Sequence, residues 1–304
     1  MTAAISTSPK SLWPGLLLSA FGAIAFSGKA IIVKLAYRHG VDAVTLIMLR
    51  MVFALPLFVA LALWAGRGKP ALWSLPRRDW IAVLGLGFSG YYLASFLDFA
   101  GLAYVSASFE RLILYLNPTI VLLLGWLLFK RRVTGKQLIA LAVSYSGVAL
   151  VFGQELHIQG ANVLLGAALV FGSAISYAIY LAFSGEEVRR LGALRLTGLA
   201  TTVACLLCIG QFIVLRPLSS VLVIAPEVLW LSVLNATACT FAPVLMVMMA
   251  IERVGATLAA QMGMIGPMST ILMGVVLLGE PFTPWVAAGT FLVMGGVWLL
   301  TKWR

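Results

Sequence analysis

Shifted back by 149 positions, the stretch 254–300 lies without a gap on 105–151. Pro267 falls on Pro118, Gly274 on Gly125, Leu277 on Leu128, Thr283 on Thr134, Gly296 on Gly147 and Val297 on Val148. Both copies are apolar almost throughout, and their matching Pro and Gly punctuation marks one unit used twice. The chain therefore reads as a duplication, with a first half 1–153 and a second half 154–304.

Such a unit cannot be a soluble domain here. The 304 residues are 62% hydrophobic and only 10% charged, with a mean hydropathy of +1.05. A water-facing surface needs far more charge than that. Apolar runs between charged or Pro/Gly-rich breaks give ten expected spans, at 12–33, 43–65, 79–102, 106–129, 134–153, 161–183, 195–215, 227–251, 255–278 and 284–301. Each approaches the roughly 20 residues that a helix needs to cross a bilayer. The expected class is all-α, a membrane bundle with short connections between antiparallel neighbours. The first span reads as a retained helix rather than a cleaved signal peptide.

The net charge of +11 points to loop asymmetry, not to nucleic acid. Fifteen of the 21 Lys and Arg fall on the side of the N-terminus: Lys10, Arg67, Lys69, Arg77, Arg78, Lys130, Arg131, Arg132, Lys136, Arg189, Arg190, Arg195, Arg253, Lys302 and Arg304. Lys34, Arg38 and Arg216 fall on the other side. Basic loops stay in the cytoplasm, so both termini are expected there. Five spans per half is an odd number, so the second half enters the membrane upside down. The loop KRRVTGK (130–136) is then cytoplasmic, while its repeat GEPFTPW (279–285) is external and carries Glu280 instead. Five-plus-five inverted repeats around a midplane site are a recurring plan of secondary transporters.

The segments IERVGATLAAQ…P…LLGEPFTPW…G…GGVWLL (251–300) and AYVSASFERLILYLNPTIVLLLGWLLFKRRVTGKQ (103–137) resemble the EamA-type drug/metabolite transporters. The resemblance covers both halves, with Lys29 and Arg50 standing where many members carry a basic residue. It implies ten helices, an inverted repeat and movement, often export, of small metabolites. In general character the chain is similar to the amino-acid exporters, among them the YddG-like aromatic amino-acid exporters. Arg131 departs from the Glu frequent in the family and is read as a topology signal.

Within the spans, Pro118 and Pro267 each leave the carbonyl four residues back, of Leu114 or Gly263, without its usual donor. These are either symmetric kinks around a wet midplane site or kinks packed against a neighbour. Small residues from Ala256 through Ala259, Gly263 and Thr270 to Gly274 favour close approach of the ninth span. Tyr91, Ser95 and Asp98 share one helical face, as do Ser173, Tyr177 and Tyr180. With Tyr115, Asn117, Asn235 and Gln261 they form the expected substrate cavity, although hydrogen bonding between helices accounts for any one of them alone. Lys29, Arg50, Asp98, Glu110 and Arg111 lie within spans, roughly 6–11 Å from the external helix ends at about 1.5 Å per residue. Their charges nearly cancel, which suggests an external gate with pairs such as Arg111 with Asp98 and Lys29 with Glu110. Snorkelling of Lys29 and proton coupling at Asp98 or Glu110 stay open.

Three motifs are set aside. Gly85–Gly90 spells G-x-G-x-x-G without the strand that a dinucleotide fold needs. Ser89 in G-x-S-G suggests an intramembrane serine hydrolase, but His39 and His157 fall in loops, away from it. Cys205 and Cys208 form C-x-x-C inside a lipid-embedded span, where small apolar filler is expected. Asn235-Ala236-Thr237 lies too deep for glycosylation.

The expected function is secondary transport with no cofactor and no metal, and no ATP motif is present. The expected cargo is a small molecule, amino acids foremost, crossing a bacterial-type inner membrane. The protein is expected as a monomer or homodimer. The alternative is a broad-specificity cation or drug extruder.

Overall fold

A computed structural model describes residues 12–69, 71, 74–130, 132–160, 162–254, 259 and 262–303. Ala256, Gln261, Arg131 and Arg304 therefore lie outside the described residues, with Lys10 and the rest of the first eleven. The described residues are helical and contain no strand. Among the described residues, nine helices are long and apolar enough to cross a membrane. They are α1 (Trp13–Tyr37), α2 (Ala43–Ala65), α3 (Arg77–Leu102), α4 (Ala107–Leu128), α5 (Gly135–Ile158), α6 (Asn162–Leu191), α7 (Ala193–Leu215), α8 (Pro226–Ile251) and α10 (Pro284–Lys302), with the shorter apolar α9 (Ile265–Leu278) before the last. The protein is an all-helical, multi-pass membrane protein. In lipid only such closed backbone hydrogen bonding is tolerated.

Helix ends explain the repeated punctuation. Thr134 caps α5 with a reciprocal Gln137 box, and its counterpart Thr283 accepts the Val286 amide at the start of α10. Each satisfies an amide that the helix leaves without a partner. Lys130 and Gly279, again 149 apart, both turn the chain in the left-handed region, at φ 52° and 73°. Gly adopts that conformation without strain, whereas Lys130 carries its Cβ penalty. The sixth helix runs two turns beyond its expected end at 183. Its polar tail is held by ion pairs of Glu186 with Arg78 and of Arg190 with Asp79.

The packing follows the duplication. α5 lies along α10 and α2 along α7, while α1 packs on α8 and α9, and α6 on α3 and α4. Every one of these pairs joins the two halves, and exchanging the halves maps each pair onto itself or another. At the α5–α10 crossing a Cβ on Gly147 would sit 2.7 Å from the Gly289 carbonyl oxygen, and one on Gly296 would sit 2.7 Å from the Ser144 amide nitrogen. These small residues let the backbones touch. The third helix of each half also widens into a π turn, at Gly87–Leu93 and Thr237–Phe241. The second of these, moved back 149 positions, falls inside the first.

Two ends can be distinguished. Lys69, Arg78, Asp79, Glu186 and Arg190 meet at the basic end, where α1 begins. Asp42 and Arg216, together with Ser106, Glu155 and Glu280, meet at the opposite end.

Candidate functional site

Ion pairing concentrates a turn or two below that opposite end. Lys29 on α1 places its Nζ 2.5 Å from Asp98 Oδ2 on α3 and 3.5 Å from Glu110 Oε1 on α4. All three are buried, Glu110 completely. Neither Glu110 oxygen nor Asp98 Oδ1 has a hydrogen-bond donor. One ammonium thus serves two carboxylates in a region where an unpaired charge is costly.

Of the two expected pairs, Lys29 with Glu110 is present at 3.5 Å, while the other is corrected: Asp98 is held by Lys29 rather than by Arg111. Arg111 turns the other way, its Nε donating to Thr270 Oγ1 at 3.0 Å and a terminal nitrogen to the Phe26 carbonyl at 3.3 Å. Residues 110 and 111 project about 100° apart on a helix, so they cannot both face α3. Arg50 stands beside the network, its guanidinium 4.5 Å from the ring centre of Phe99, and its buried Nε lacks a partner. Such stacking offsets part of the cost of burying a cation.

The residues expected to line a central cavity are mostly packed together instead. Tyr91 and Tyr180 share a 3.2 Å hydroxyl contact, and Tyr177 stacks on Tyr180 with ring centres 5.5 Å apart. Gly90 makes room for that stack, since a Cβ there would meet the Tyr180 ring. Ser173 donates to the Ala94 carbonyl at 2.7 Å, while Ser95 and Tyr115 are half-buried. Asn235 is fully buried and neither amide atom has a partner. Gln261 lies outside the described residues. The tyrosines are thus drawn into helix packing, as aromatic rings with one polar handle readily are.

The prolines divide similarly. α4 is interrupted after Leu114 and resumes at Asn117, immediately before Pro118. The Leu114 carbonyl does not wait for water, because Asn117 Nδ2 donates to it at 2.7 Å. Next to Pro267, the Gly266 carbonyl accepts from Ser27 at 2.8 Å and from Thr270 at 3.2 Å. Ser89 donates back to Gly85, the ordinary local use of a helical serine. Cys205 and Cys208 are free and buried, with Cys205 beside Met51.

Two clefts open at the ends. The one at the basic end, about 440 Å³, is lined by Lys69, Asp79, Arg190 and Arg195 among others. The one at the opposite end, about 400 Å³, is lined by Lys34, Tyr37, Arg38, Ser106, Glu155 and Glu280 among others. None of the described residues expected in a cavity lines either cleft. Glu280 carries the clearest unforeseen role. Its Oε1 accepts the Ala107 amide at 2.6 Å, and its Oε2 accepts the Ser108 amide at 3.1 Å and the Ser108 hydroxyl at 2.6 Å. A loop of one half thereby caps the first turn of α4 in the other, where the helix dipole favours an anion. The sequence offered a signal in the lone acid opposite a basic repeat copy.

The sequence pattern of the EamA-like transporter family matches residues 13–153 and then again 164–302. The chain belongs to that family. Among relatives of this EamA-like chain is the Bacillus subtilis uncharacterized transporter YcbK, 28% identical over 88% of this chain and 86% of that one. An uncharacterized transporter of Archaeoglobus fulgidus is 24% identical over 93% of this chain and 96% of its own length. A solved structure described as a crystal structure of a protein shares the fold, with a TM-score of 0.64 at 17% identity over 95% of this chain and 99% of that chain. Family and relatives make this EamA-like protein a membrane transporter rather than an enzyme.

Proposed function

We propose that this transporter exports small metabolites, amino acids foremost, by alternating access. Both termini would face the cytoplasm of a bacterial-type inner membrane. The observation that carries the reading is the buried trio Lys29, Asp98 and Glu110. An intramembrane ionisable group marks a transport pathway by default. A lysine shared between two carboxylates keeps one of them at hand when the other is lost, so its ammonium stays paired as helices α1, α3 and α4 move apart. Arg50 and Arg111 bring the cluster to three cations against two acids, a surplus that suits a solute carrying a carboxylate.

Uptake of a panel of labelled amino acids into liposomes of the purified protein, with and without a pH gradient, tests this reading. Accumulation of at least one of them supports it, and failure of all of them removes the amino-acid assignment while leaving the fold untouched. A second reading has its own observation. Glu110, an acid without a hydrogen-bond donor, is what a cation extruder requires. Glu110→Gln distinguishes the two: a cation extruder loses all transport, whereas an amino-acid exporter keeps exchange of its cargo.

A further inference from the structure

When Lys29 parts from one of its two acids, that acid stays behind in a buried place with its charge uncompensated. A carboxylate escapes the cost of such a position by taking a proton. The geometry singles out Glu110. Asp98 holds the ammonium at 2.5 Å and also lies near enough to Arg50 to interact with its charge. Glu110 has only the 3.5 Å contact, is completely buried, and neither of its oxygens meets a hydrogen-bond donor. Arg111, next to it in the chain, gives its hydrogen bonds to Thr270 and Phe26.

We infer that Glu110 binds a proton whose inward passage drives the outward movement of the solute. This deepens the export reading given above and rests on it. The charges balance within the trio. One ammonium and two carboxylates carry a net charge of −1, and a proton on Glu110 brings it to zero while Lys29 and Asp98 stay paired. The two carboxyls interact directly, so the new O–H has an acceptor in Asp98 Oδ1, which otherwise has no donor. When Lys29 comes back to Glu110, the ammonium favours the carboxylate and the proton leaves.

Few other charges bear on the site. Of the helices packed on the start of α4, α1 presents Lys29 and α3 presents Asp98. α5 sets Glu155 against Ser106, and the loop before α10 sets Glu280 against Ala107 and Ser108, both nearer the opposite end. α9 carries no titratable side chain, and the charged residues of α6 and α10 lie in their final turns. The α6 tyrosines, Tyr177 and Tyr180, pack with Tyr91. Arg50 on α2 and Cys239 on α8 act on Asp98 and on Lys29 and Arg111 respectively.

The fold also gives the proton an approach. Ser106 and Ser108 line the cleft of about 400 Å³ at the opposite end, which is roomy and polar enough to admit water. Glu110 follows on the same helix, about 6 Å beyond Ser106 at 1.5 Å per residue. A proton therefore enters from the side toward which the solute leaves, as exchange of one for the other requires.

Two readouts on the full-length protein in lipid test the inference. Infrared difference spectroscopy on lowering the pH should show a protonated-carboxyl C=O band that is lost in Glu110→Gln and returns, displaced, in Glu110→Asp. This readout needs no cargo, and the displacement in Glu110→Asp assigns the band where Glu110→Gln does not fold. In liposomes holding a pH dye, L-phenylalanine or L-leucine leaving down its gradient should acidify the lumen, and the ratio of protons to amino acid should fall to zero in Glu110→Gln. Absence of the band from the parent protein, or its survival unshifted in both variants, overturns the proton site. An unchanged proton ratio in Glu110→Gln overturns it too. Amino-acid movement without protons in the parent overturns the coupling and leaves the cargo assignment standing. A Glu110 band in protein that moves no amino acid supports the proton site and overturns the cargo assignment instead.

Discussion

Lys29 answers to two acids, and that unequal sharing makes opposite predictions for its partners. Lys29→Met leaves two buried carboxylates without a cation and should cost about 3–5 kcal/mol, read as a large fall in the melting temperature in detergent. Adding Asp98→Asn to it should recover most of the loss. Glu110→Gln removes a buried charge that only the longer, 3.5 Å contact with Lys29 offsets, so melting should hold or rise while transport coupled to a gradient falls. Asp42 makes a smaller, pH-dependent contribution at the start of α2. Partial burial pushes its carboxyl up, but hydrogen bonds from Thr45 and Arg216 outweigh this and hold the pKa below its ordinary value. A lowered folded pKa means stability present above the unfolded value and lost as pH falls through the folded one. Asp42→Ala should therefore cost on the order of 1 kcal/mol at pH 7, and the difference from the parent should vanish in strong acid. The charged residues of the site were legible because charge inside an apolar run stands out. Their pairing was not, since it depends on which way each residue turns about its helix, and residues 110 and 111 turn apart. The contacts among the tyrosines were hidden for a related reason: a polar face on a helix shows that something polar is met, not whether that is a solute or another tyrosine.

At the level of helices, the α5–α10 crossing offers an internal control in neighbouring residues. A Cβ on Gly296 would press on the Ser144 amide and on the Ala140 carbonyl oxygen at 2.8 Å, whereas one on Gly295 meets nothing within 4 Å. Gly296→Ala should destabilise by about 1–3 kcal/mol, while Gly295→Ala should be neutral, both measured by thermal melting. The helices themselves were readable from the sequence, because lipid leaves few options to a long apolar run. The repeated Thr134 and Thr283 were visible as matching letters, and their structural meaning as caps follows from the Gln137 and Val286 amides. The extension of α6 was hidden because hydropathy ends at about 183, while the helix continues on ion pairs formed with α3. Glu280 was hidden because its partners lie in the other half, 172 and 173 positions away.

For the whole molecule, the two halves predict opposite exposure of equivalent loops. Arg132→Cys and Phe282→Cys stand at matching turns of the repeat, one in each half. In intact cells an impermeant maleimide should modify Phe282→Cys, whereas Arg132→Cys should react only once the membrane is opened. Equal modification of both in intact cells contradicts the inverted arrangement. The paired π turns of α3 and α8 add a mechanical property to this arrangement. A π turn carries a surplus residue, and handing that surplus one position along the helix lets the two ends rotate against each other without a break in the rod. Because the duplication put such a joint in both third helices, each half has its own swivel. In the alternating-access cycle proposed above, the two joints would twist in turn.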